Sequence, residues 1–150
     1  MVCGPRSAVC RTFRAGFTLF ELAMVLTISA TILGIIAPKW LTALDRISVR
    51  AASADLSATL HSARALAISQ RLPVAVFIQG PSGTVRVSQN GATAFSRNIG
   101  FAHGVQLFPT GDSTSFGPLG LGRGAANLSV VVRRRAAVET VFVSRLGRIR

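Results

Sequence analysis

Two arginines at the end of the sequence have the spacing of a phosphate-binding pair. Arg148 and Arg150 belong to the stretch GRIR at positions 147–150. In an extended segment, residues two apart point to the same side, so both guanidinium groups would face one ligand. Each can hold a phosphate through two parallel hydrogen bonds, and Gly147 lets the segment follow a curved backbone. The pattern is therefore suited to binding phosphate groups.

Further arginines accompany this pair. They are Arg145, Arg133, Arg134 and Arg135. We expect all six cations to merge into one patch that binds the phosphate backbone without reading sequence and loses affinity as salt rises. No aromatic residue is interleaved with the tail, which argues against base stacking on single strands. A second interpretation stays open: the glycine forms a bulge, and the arginines are solvated charges that protect a sheet edge.

The charge composition agrees with a polyanionic partner. The 150 residues include 17 Lys+Arg and 5 Asp+Glu, which gives a formal charge of +12 and an isoelectric point near 12.0. This balance favours nucleic acid or an anionic membrane surface as a partner. A genome that encodes its surface cations as arginine would explain the preference for arginine over lysine, but not the shortage of acids.

One acid, Glu21, lies inside the most apolar part of the chain. Residues 17–38 read FTLFELAMVLTISATILGIIAP and carry no other charge. A helix of this length spans the ~30 Å hydrocarbon core of a bilayer, so we expect a permanent membrane anchor. A carboxylate there costs up to ~3 kcal/mol on insertion scales and indicates a function, although a position near the interface would reduce that cost.

The junction before this block resembles the processing motif of type IV prepilins. The motif is the stretch RAGFTLFEL at positions 14–22. In that family a prepilin peptidase cuts after the glycine and methylates the new N-terminal phenylalanine. The resemblance therefore implies a cut between Gly16 and Phe17, and N-methylation of Phe17. It also implies that Glu21 recruits the subunit into a filament by neutralising the Phe17 ammonium group of a neighbouring subunit.

The same resemblance implies a location and partners. The chain would be a single-pass protein of the bacterial inner membrane, with its head in the periplasm or outside the cell on a filament. Its partners would be prepilin peptidase and other pilin or pseudopilin subunits. Removal of the leader, residues 1–16, takes away Cys3 and Cys10. It also takes away three of the 17 cations and no acid, which leaves +9 on the mature chain.

No residue pattern predicts catalysis, a metal site or a cofactor. His61 and His103 stand alone in the sequence, and the serines lack the Gly-x-Ser-x-Gly setting of a hydrolase nucleophile. We therefore expect a structural or binding protein and not an enzyme.

The residues singled out above would be carried by a long helix and a β-rich head. Residues 39–72 should continue the membrane helix as an amphipathic segment, because apolar residues repeat on one face. That face is formed by Leu56, Leu60, Ala63 and Ala67. Pro38 is expected to loosen the helix near the membrane, and Pro73 is expected to mark its end.

Residues 73–150 should form an antiparallel sheet that covers the second half of the helix, which makes the fold α+β. Period-two patterns and turn residues predict strands at 74–78, 85–87, 105–108, 128–134 and 139–144. The Gly-, Ser- and Pro-rich segment 109–127 is expected to be a long loop. The core should contain Phe77, Phe101, Phe108, Phe116 and Phe142.

The head also resembles the GspH/FimT group, which contains minor pseudopilins of type II secretion and minor pilins. The resemblance is carried by SFGPLG at 115–120, NLSV at 127–130 and SRLGRIR at 144–150. The last stretch is similar to the GRxR signature of FimT-type minor pilins that bind DNA during natural transformation. The resemblance implies either a pseudopilin for protein secretion or a dedicated DNA receptor for transformation, and that choice stays open.

Overall fold

The computed structural model describes residues 16–123 and 127–150. Its elements are α1 (Leu19–Gln70), β1 (Val74–Gln79), β2 (Thr84–Gln89), β3 (Ala92–Asn98), α2 (Ile99–His103), β4 (Gln106–Pro109), β5 (Ser113–Phe116), β6 (Gly122–Arg123), β7 (Leu128–Arg134) and β8 (Ala137–Val143). The chain divides into two compact units, Met1–Pro38 and Lys39–Arg150. The leader predicted for residues 1–16 lies outside the described residues except for its last glycine.

Local signals at both ends set the length of α1. The Thr18 hydroxyl oxygen accepts a hydrogen bond of 3.2 Å from the backbone N–H of Glu21, which caps the first turn. At the other end Arg71 has a left-handed backbone with φ of 54°, and Pro73 lacks the N–H that another turn requires. The helix therefore ends at Gln70, two residues before the expected boundary, and it continues through Pro38.

In the second unit, one face of α1 packs on the strands. The residues that the periodicity assigns to this face are Leu56, Leu60, Ala63 and Ala67, and all four are fully buried. Val49 and Ala52 extend the same buried face toward the start of the unit. The predicted amphipathic half of the helix is confirmed in its buried face.

Two antiparallel sheets share this helix face. Their strand orders are β3-β2-β1-β5-β6 and β4-β7-β8. Alternate residues of the strands point inward and join the helix in one apolar core, as period two requires. They include Val74, Val76, Ile78, Val85, Val87, Leu128, Val130 and Val132. The α+β fold, with a long N-terminal helix packed on antiparallel strands, is confirmed, but the head has two sheets where one was expected.

The segment 109–127 is not the long loop that its composition predicts. It contains β5, which pairs with β1, and the two-residue strand β6, which pairs with β5. Strand β3 is also unpredicted, because its side chains are almost all exposed and show no apolar alternation. It follows a turn in which Asn90 and Gly91 have φ of 51° and 79°, the type I′ geometry that matches the twist of a hairpin.

Of the five phenylalanines assigned to the core, Phe116 is buried and the others are not. The exposed ones are Phe77, Phe101, Phe108 and Phe142, at 43 to 88% of their surface. Phe77 shows the reason, because it lies between the buried residues Val76 and Ile78 and must point to the outer face of its strand. The four residues were assigned to the core because they are aromatic. The assignment did not consider that alternate residues of a strand point to opposite faces of the sheet.

Candidate functional site

The predicted processing junction lies just before the first turn of α1. Gly16 and Phe17 are exposed and non-helical. Among the described residues, a Cβ atom added at Gly16 would meet no atom within 4 Å.

Glu21 has a local role as well as its predicted role in assembly. Thr18 and Glu21 are three residues apart, the spacing of a capping box, and the N–H of Glu21 binds the Thr18 hydroxyl. A negative charge in the first turn also favours the helix through the positive end of its dipole. The Thr-x-x-Glu spacing in the sequence could have predicted this helix cap. The prepilin motif assigns a role to the acid alone.

Residues 19–36 expose their side chains all around the helix. Mean hydropathy reaches 2.2 over an 18-residue window, and α1 is the one helix of the described residues that is long and apolar enough to cross a membrane. This criterion concerns length and composition alone. An apolar surface of this size calls for a cover of lipid or of other apolar helices.

The tail segment, residues 144–150, folds back onto β8 as a short edge strand. The Ser144 N–H donates to the Arg148 carbonyl at 2.9 Å. Phe142 and Arg150 exchange backbone hydrogen bonds of 2.8 and 2.9 Å. The end of the tail is therefore paired with β8, through an isolated bridge between Val143 and Ile149.

Alternation along the tail places its two arginines on the solvent side. Ile149 pairs with Val143 and packs against the core. Arg148 and Arg150 flank Ile149 along the chain. Their side chains therefore point to the face opposite that of Ile149, and both residues are exposed. Their Cα atoms are about 7 Å apart at this spacing. Both side chains thus point to the same side, as the sequence spacing predicts.

Gly147 serves the turn that starts the tail. Its φ is 71°, a conformation that favours glycine, and a Cβ atom would overlap the carbonyl oxygen of Gly120. Its N–H donates to the Ser144 carbonyl at 2.8 Å. The glycine of the GRIR stretch is therefore explained by a turn and a close backbone contact.

The tail borders an open groove of about 730 Å³, which we name the tail groove. Its lining includes His61, Arg64, Phe142, Ser144, Arg148 and Arg150. Phe142 exposes 54% of its surface opposite Arg150. An aromatic residue of the neighbouring strand thus borders the same groove as the tail, although none is interleaved within the tail itself.

Arg145 lies at the other border of the tail, next to β6. Its carbonyl oxygen accepts a hydrogen bond of 2.9 Å from the N–H of Gly122. This contact brings the exposed residues Arg145 and Arg123 to adjacent backbone positions. Arg123 was not singled out in the sequence, since it belongs to the segment that was expected to be a loop.

The arginine run at the β7–β8 turn is held by Asp45 on α1. Arg134 Nε lies 2.9 Å from Asp45 Oδ1, and Arg134 Nη1 donates to the Ser48 hydroxyl at 2.8 Å. Arg135 Nη1 lies 3.4 Å from the other oxygen of Asp45. Strand β8 separates this turn from the tail by roughly 20 Å.

The six arginines therefore do not form the single patch that the sequence predicts. Arg133 is exposed, but its Nε donates to the carbonyl of Arg135 at 3.3 Å within the same turn. The cations that accompany the tail are instead Arg64 and Arg123. The sequence does not indicate that Arg64 and Arg123 lie near the tail, because both are far from it along the chain. Folding brings α1 and β6 next to the tail.

A second acid also has partners that the sequence did not reveal. Arg97 Nη1 lies 2.6 Å from Asp55 Oδ1, and His103 Nε2 lies 3.6 Å from the other oxygen. His103 therefore has an acid neighbour, contrary to the expectation that it stands alone. The arrangement is an ion-pair cluster between α1 and the head. Within the described ranges, no group of three or more His, Cys, Asp or Glu could hold a metal ion.

Three acids of the second unit have contacts with residues outside the tail. In the part of the chain that the structure describes, the ion pairs involve Asp45 and Asp55. Glu139 accepts a hydrogen bond of 2.7 Å from the Ser53 hydroxyl. None of these described contacts involves an arginine of the tail groove, which leaves an exposed cationic surface on one side of the head.

No protein-family model matches the sequence, and no curated protein matches it. Among solved structures, the chain is similar to the type IV minor pilin FimU of Pseudomonas aeruginosa strain PAO1 in two crystal forms. The P21 form gives a TM-score of 0.61 at 16% identity, and covers 71% of this chain and 89% of FimU. The P65 form gives 0.56 at 17% identity, with 67% and 90% covered. At this identity the likeness concerns the fold, and the chain has a type IV pilin-like fold.

Proposed function

We propose that this chain is a minor pilin-like subunit that assembles through its N-terminal helix into a filament of the type IV pilus or type II secretion class. One combination of features carries the proposal. A pilin-like head follows an exposed apolar helix segment that holds a single acid. Such a segment is stable in a bilayer before assembly and among the apolar helices of other subunits afterwards. The role is structural and not enzymatic.

The N-terminus matures by the prepilin route. Prepilin peptidase cuts between Gly16 and Phe17 and methylates Phe17, and the helix then anchors the subunit in the bacterial inner membrane. The head lies in the periplasm, or outside the cell once the filament extends. In low dielectric, Glu21 neutralises the Phe17 ammonium group of an adjacent subunit. The stretch RAGFTLFEL at positions 14–22, which resembles the prepilin processing motif, supports the cleavage site.

Recovery of the chain in filaments tests this role. The full chain is expressed in cells that contain the pilus machinery, and filaments are sheared off and probed for it. We expect the chain in the filament fraction, and its loss from that fraction in cells without prepilin peptidase. A chain that stays in the membrane in both strains would contradict the proposal.

A second activity, binding of double-stranded DNA, is favoured by the exposed cations of the tail. Arg145, Arg148 and Arg150 contact backbone phosphates, and Gly147 fixes the turn that presents them. Support comes from the exposure of Arg148 and Arg150, from their common direction, and from the ion pairs of Asp45 and Asp55, which engage cations outside the tail. The run at the β7–β8 turn contributes less, because Asp45 engages Arg134 and Arg135.

A titration of duplex DNA with the full chain in non-ionic detergent tests this activity. The variant Arg148→Gln plus Arg150→Gln should bind more weakly and show a flatter dependence of affinity on salt, by about 0.9 in slope for each lost phosphate contact. The matched control is Arg46→Gln plus Arg50→Gln, which removes two exposed arginines from α1. Binding by the tail variant with the wild-type slope would refute the role of the tail.

The phenotype of a deletion strain distinguishes a pilus for DNA uptake from a protein-secretion machine. A dedicated DNA receptor for natural transformation predicts that deletion of the gene lowers uptake of DNA and leaves protein secretion intact. A secretion pseudopilin predicts the reverse. The tail cations support the first alternative, whereas the pilin-like fold serves both.

A further inference from the structure

Helix α1 carries a row of cations where the unit Lys39–Arg150 begins. Lys39, Arg46 and Arg50 are exposed and spaced at i, i+7 and i+11, so their side chains leave one face of the helix. Arg46 and Arg50 are about one turn apart, which places their Cβ atoms about 6 Å from each other. The residues that pack on the strands, such as Val49 and Ala52, belong to another face. The DNA contact proposed above uses none of these three cations.

The turn between β7 and β8 brings a fourth cation to this end of the unit. Arg135 Nη1 lies 3.4 Å from Asp45 Oδ2, which holds the turn beside α1, and the Arg135 side chain remains 70% exposed. Arg46 and Arg50 line an open groove of about 420 Å³ between α1 and the residues that follow this turn. We call Lys39, Arg46, Arg50 and Arg135 the basic surface.

The two acids beside the basic surface already have partners. Asp45 also binds Arg134 Nε at 2.9 Å, so its carboxylate is shared by two guanidinium groups. Glu139 lines the groove and accepts a hydrogen bond of 2.7 Å from the Ser53 hydroxyl. In the part of the chain that the structure describes, no ion pair involves the three cations of α1. The basic surface therefore keeps an excess of positive charge that an anion from outside the chain can balance.

Position along the chain favours a lipid headgroup as this anion. Lys39 and Trp40 directly follow the apolar stretch 17–38 that is proposed to span the bilayer. Arg46 is about 11 Å from Lys39 along the helix, and long arginine side chains extend toward the headgroup zone, which adds about 5–8 Å to each side of the hydrocarbon core. Trp40 is 65% exposed, and tryptophan is enriched at this interface. Double-stranded DNA has no comparable reason to be at this position.

We propose that the basic surface binds the headgroups of anionic phospholipids while the subunit is in the membrane before assembly. This inference rests on the membrane anchor of the proposed function and adds to it a class of lipid and the residues that select it. Near an anionic membrane each lysine or arginine strengthens binding about fivefold, and salt screens the attraction.

Trp40 provides a local probe of lipid composition, because it is the one tryptophan of the sequence. The full chain is reconstituted in bilayers that contain phosphatidylglycerol or phosphatidylcholine, brominated near the headgroup end of the acyl chains. Bromine quenches tryptophan fluorescence at short range. The ratio of quenching by the two lipids therefore measures the preference for an anionic headgroup beside Trp40.

Two double variants separate charge from packing. Arg46→Gln plus Arg50→Gln removes two cations, whereas Arg46→Lys plus Arg50→Lys retains them. The matched control is Arg71→Gln plus Arg86→Gln, which removes two exposed arginines that belong neither to the basic surface nor to the tail. We expect a preference of about fivefold for phosphatidylglycerol in the wild type, the lysine variant and the control, and nearly equal quenching by the two lipids in the glutamine variant. An increase from about 50 to 500 mM salt should lower the wild-type preference.

A wild-type preference that persists in the glutamine variant would overturn the inference. An equal loss in the lysine and glutamine variants would also overturn it, because the arginines would then act through packing. In the DNA titration described above, the glutamine variant should bind duplex DNA as the wild type does. Weaker DNA binding by this variant would assign the surface to DNA and contradict the lipid role.

Quenching by the neutral lipid separates the lipid role from the membrane anchor. If both lipids quench Trp40 of the wild type equally, the anchor holds and the lipid preference alone is wrong. If neither lipid quenches Trp40, the predicted anchor and the role of the basic surface both fail.

Discussion

The Cα atom of Gly147 packs against the carbonyl oxygen of Gly120, at a place where no side chain has room. Gly120 itself has φ of 73° and leads from β5 to β6, so two loops that are distant in sequence meet through their backbones. Arg64 lies against the same contact. The glycine of the GRIR stretch thus determines where the tail begins, and thereby where its arginines can reach.

Gly147→Ala should destabilise the head by about 2–4 kcal/mol, because the alanine would combine a left-handed backbone with an overlap against a carbonyl oxygen. The control is Gly91→Ala, at φ of 79° with no atom within 4 Å of a Cβ, which should cost about 1 kcal/mol. The free energy of unfolding in urea measures both. Equal losses would show that the contact with Gly120 adds nothing.

Asp45→Asn tests the link between α1 and the β7–β8 turn. The side chain of Asp45 is 8% exposed and that of Arg134 is 34% exposed, so the pair is neither fully buried nor fully solvated. We expect a loss of about 1–3 kcal/mol in the free energy of unfolding, below the range for fully buried pairs.

The control for this loss is Asp112→Asn. Asp112 is exposed and forms no ion pair with the described residues, so the loss should stay below about 0.5 kcal/mol. Unfolding curves that cannot be distinguished between the two variants would contradict the role of Asp45.

The fold could be predicted where one face of an element is buried. The helix repeat from Leu56 to Ala67 and the alternation along β7 and β8 identified the elements that form the core. Strand β3 could not be found in this way, because it forms an edge and all of its side chains except Phe95 are exposed. Strands β5 and β6 are short, and their structure depends on the pairing of β5 with β1 and of β6 with β5.

Only those features of the candidate site that depend on neighbouring residues in the sequence could be predicted. The direction of Arg148 and Arg150 follows from their spacing in an extended segment. The partners of Arg134 and the proximity of Arg64 to the tail depend on contacts between residues far apart in sequence. Position along the chain does not reveal that Arg134 and Arg135 pair with Asp45, whereas the tail arginines form no ion pair with the described residues.

Glu21→Gln should impair incorporation into filaments and leave the stability of the head unchanged. The substitution removes the charge that would neutralise a neighbouring ammonium group, and position 21 lies outside the unit Lys39–Arg150. The control Ser29→Ala changes another polar residue of the apolar stretch, whose hydroxyl donates to the Val25 carbonyl within its own helix. The amount of chain in sheared filaments is compared for both variants, and normal incorporation of Glu21→Gln would contradict the assembly role.

The mass of the mature N-terminus tests the central claim most directly. The full chain is produced in cells with prepilin peptidase, extracted from membranes and analysed by intact-mass and N-terminal peptide spectrometry. The account predicts a chain that begins at Phe17 and carries one added methyl group on its amino nitrogen. The same chain produced without the peptidase should retain residues 1–16. An uncut chain in the presence of the peptidase, or a cut at any other bond, would contradict the account.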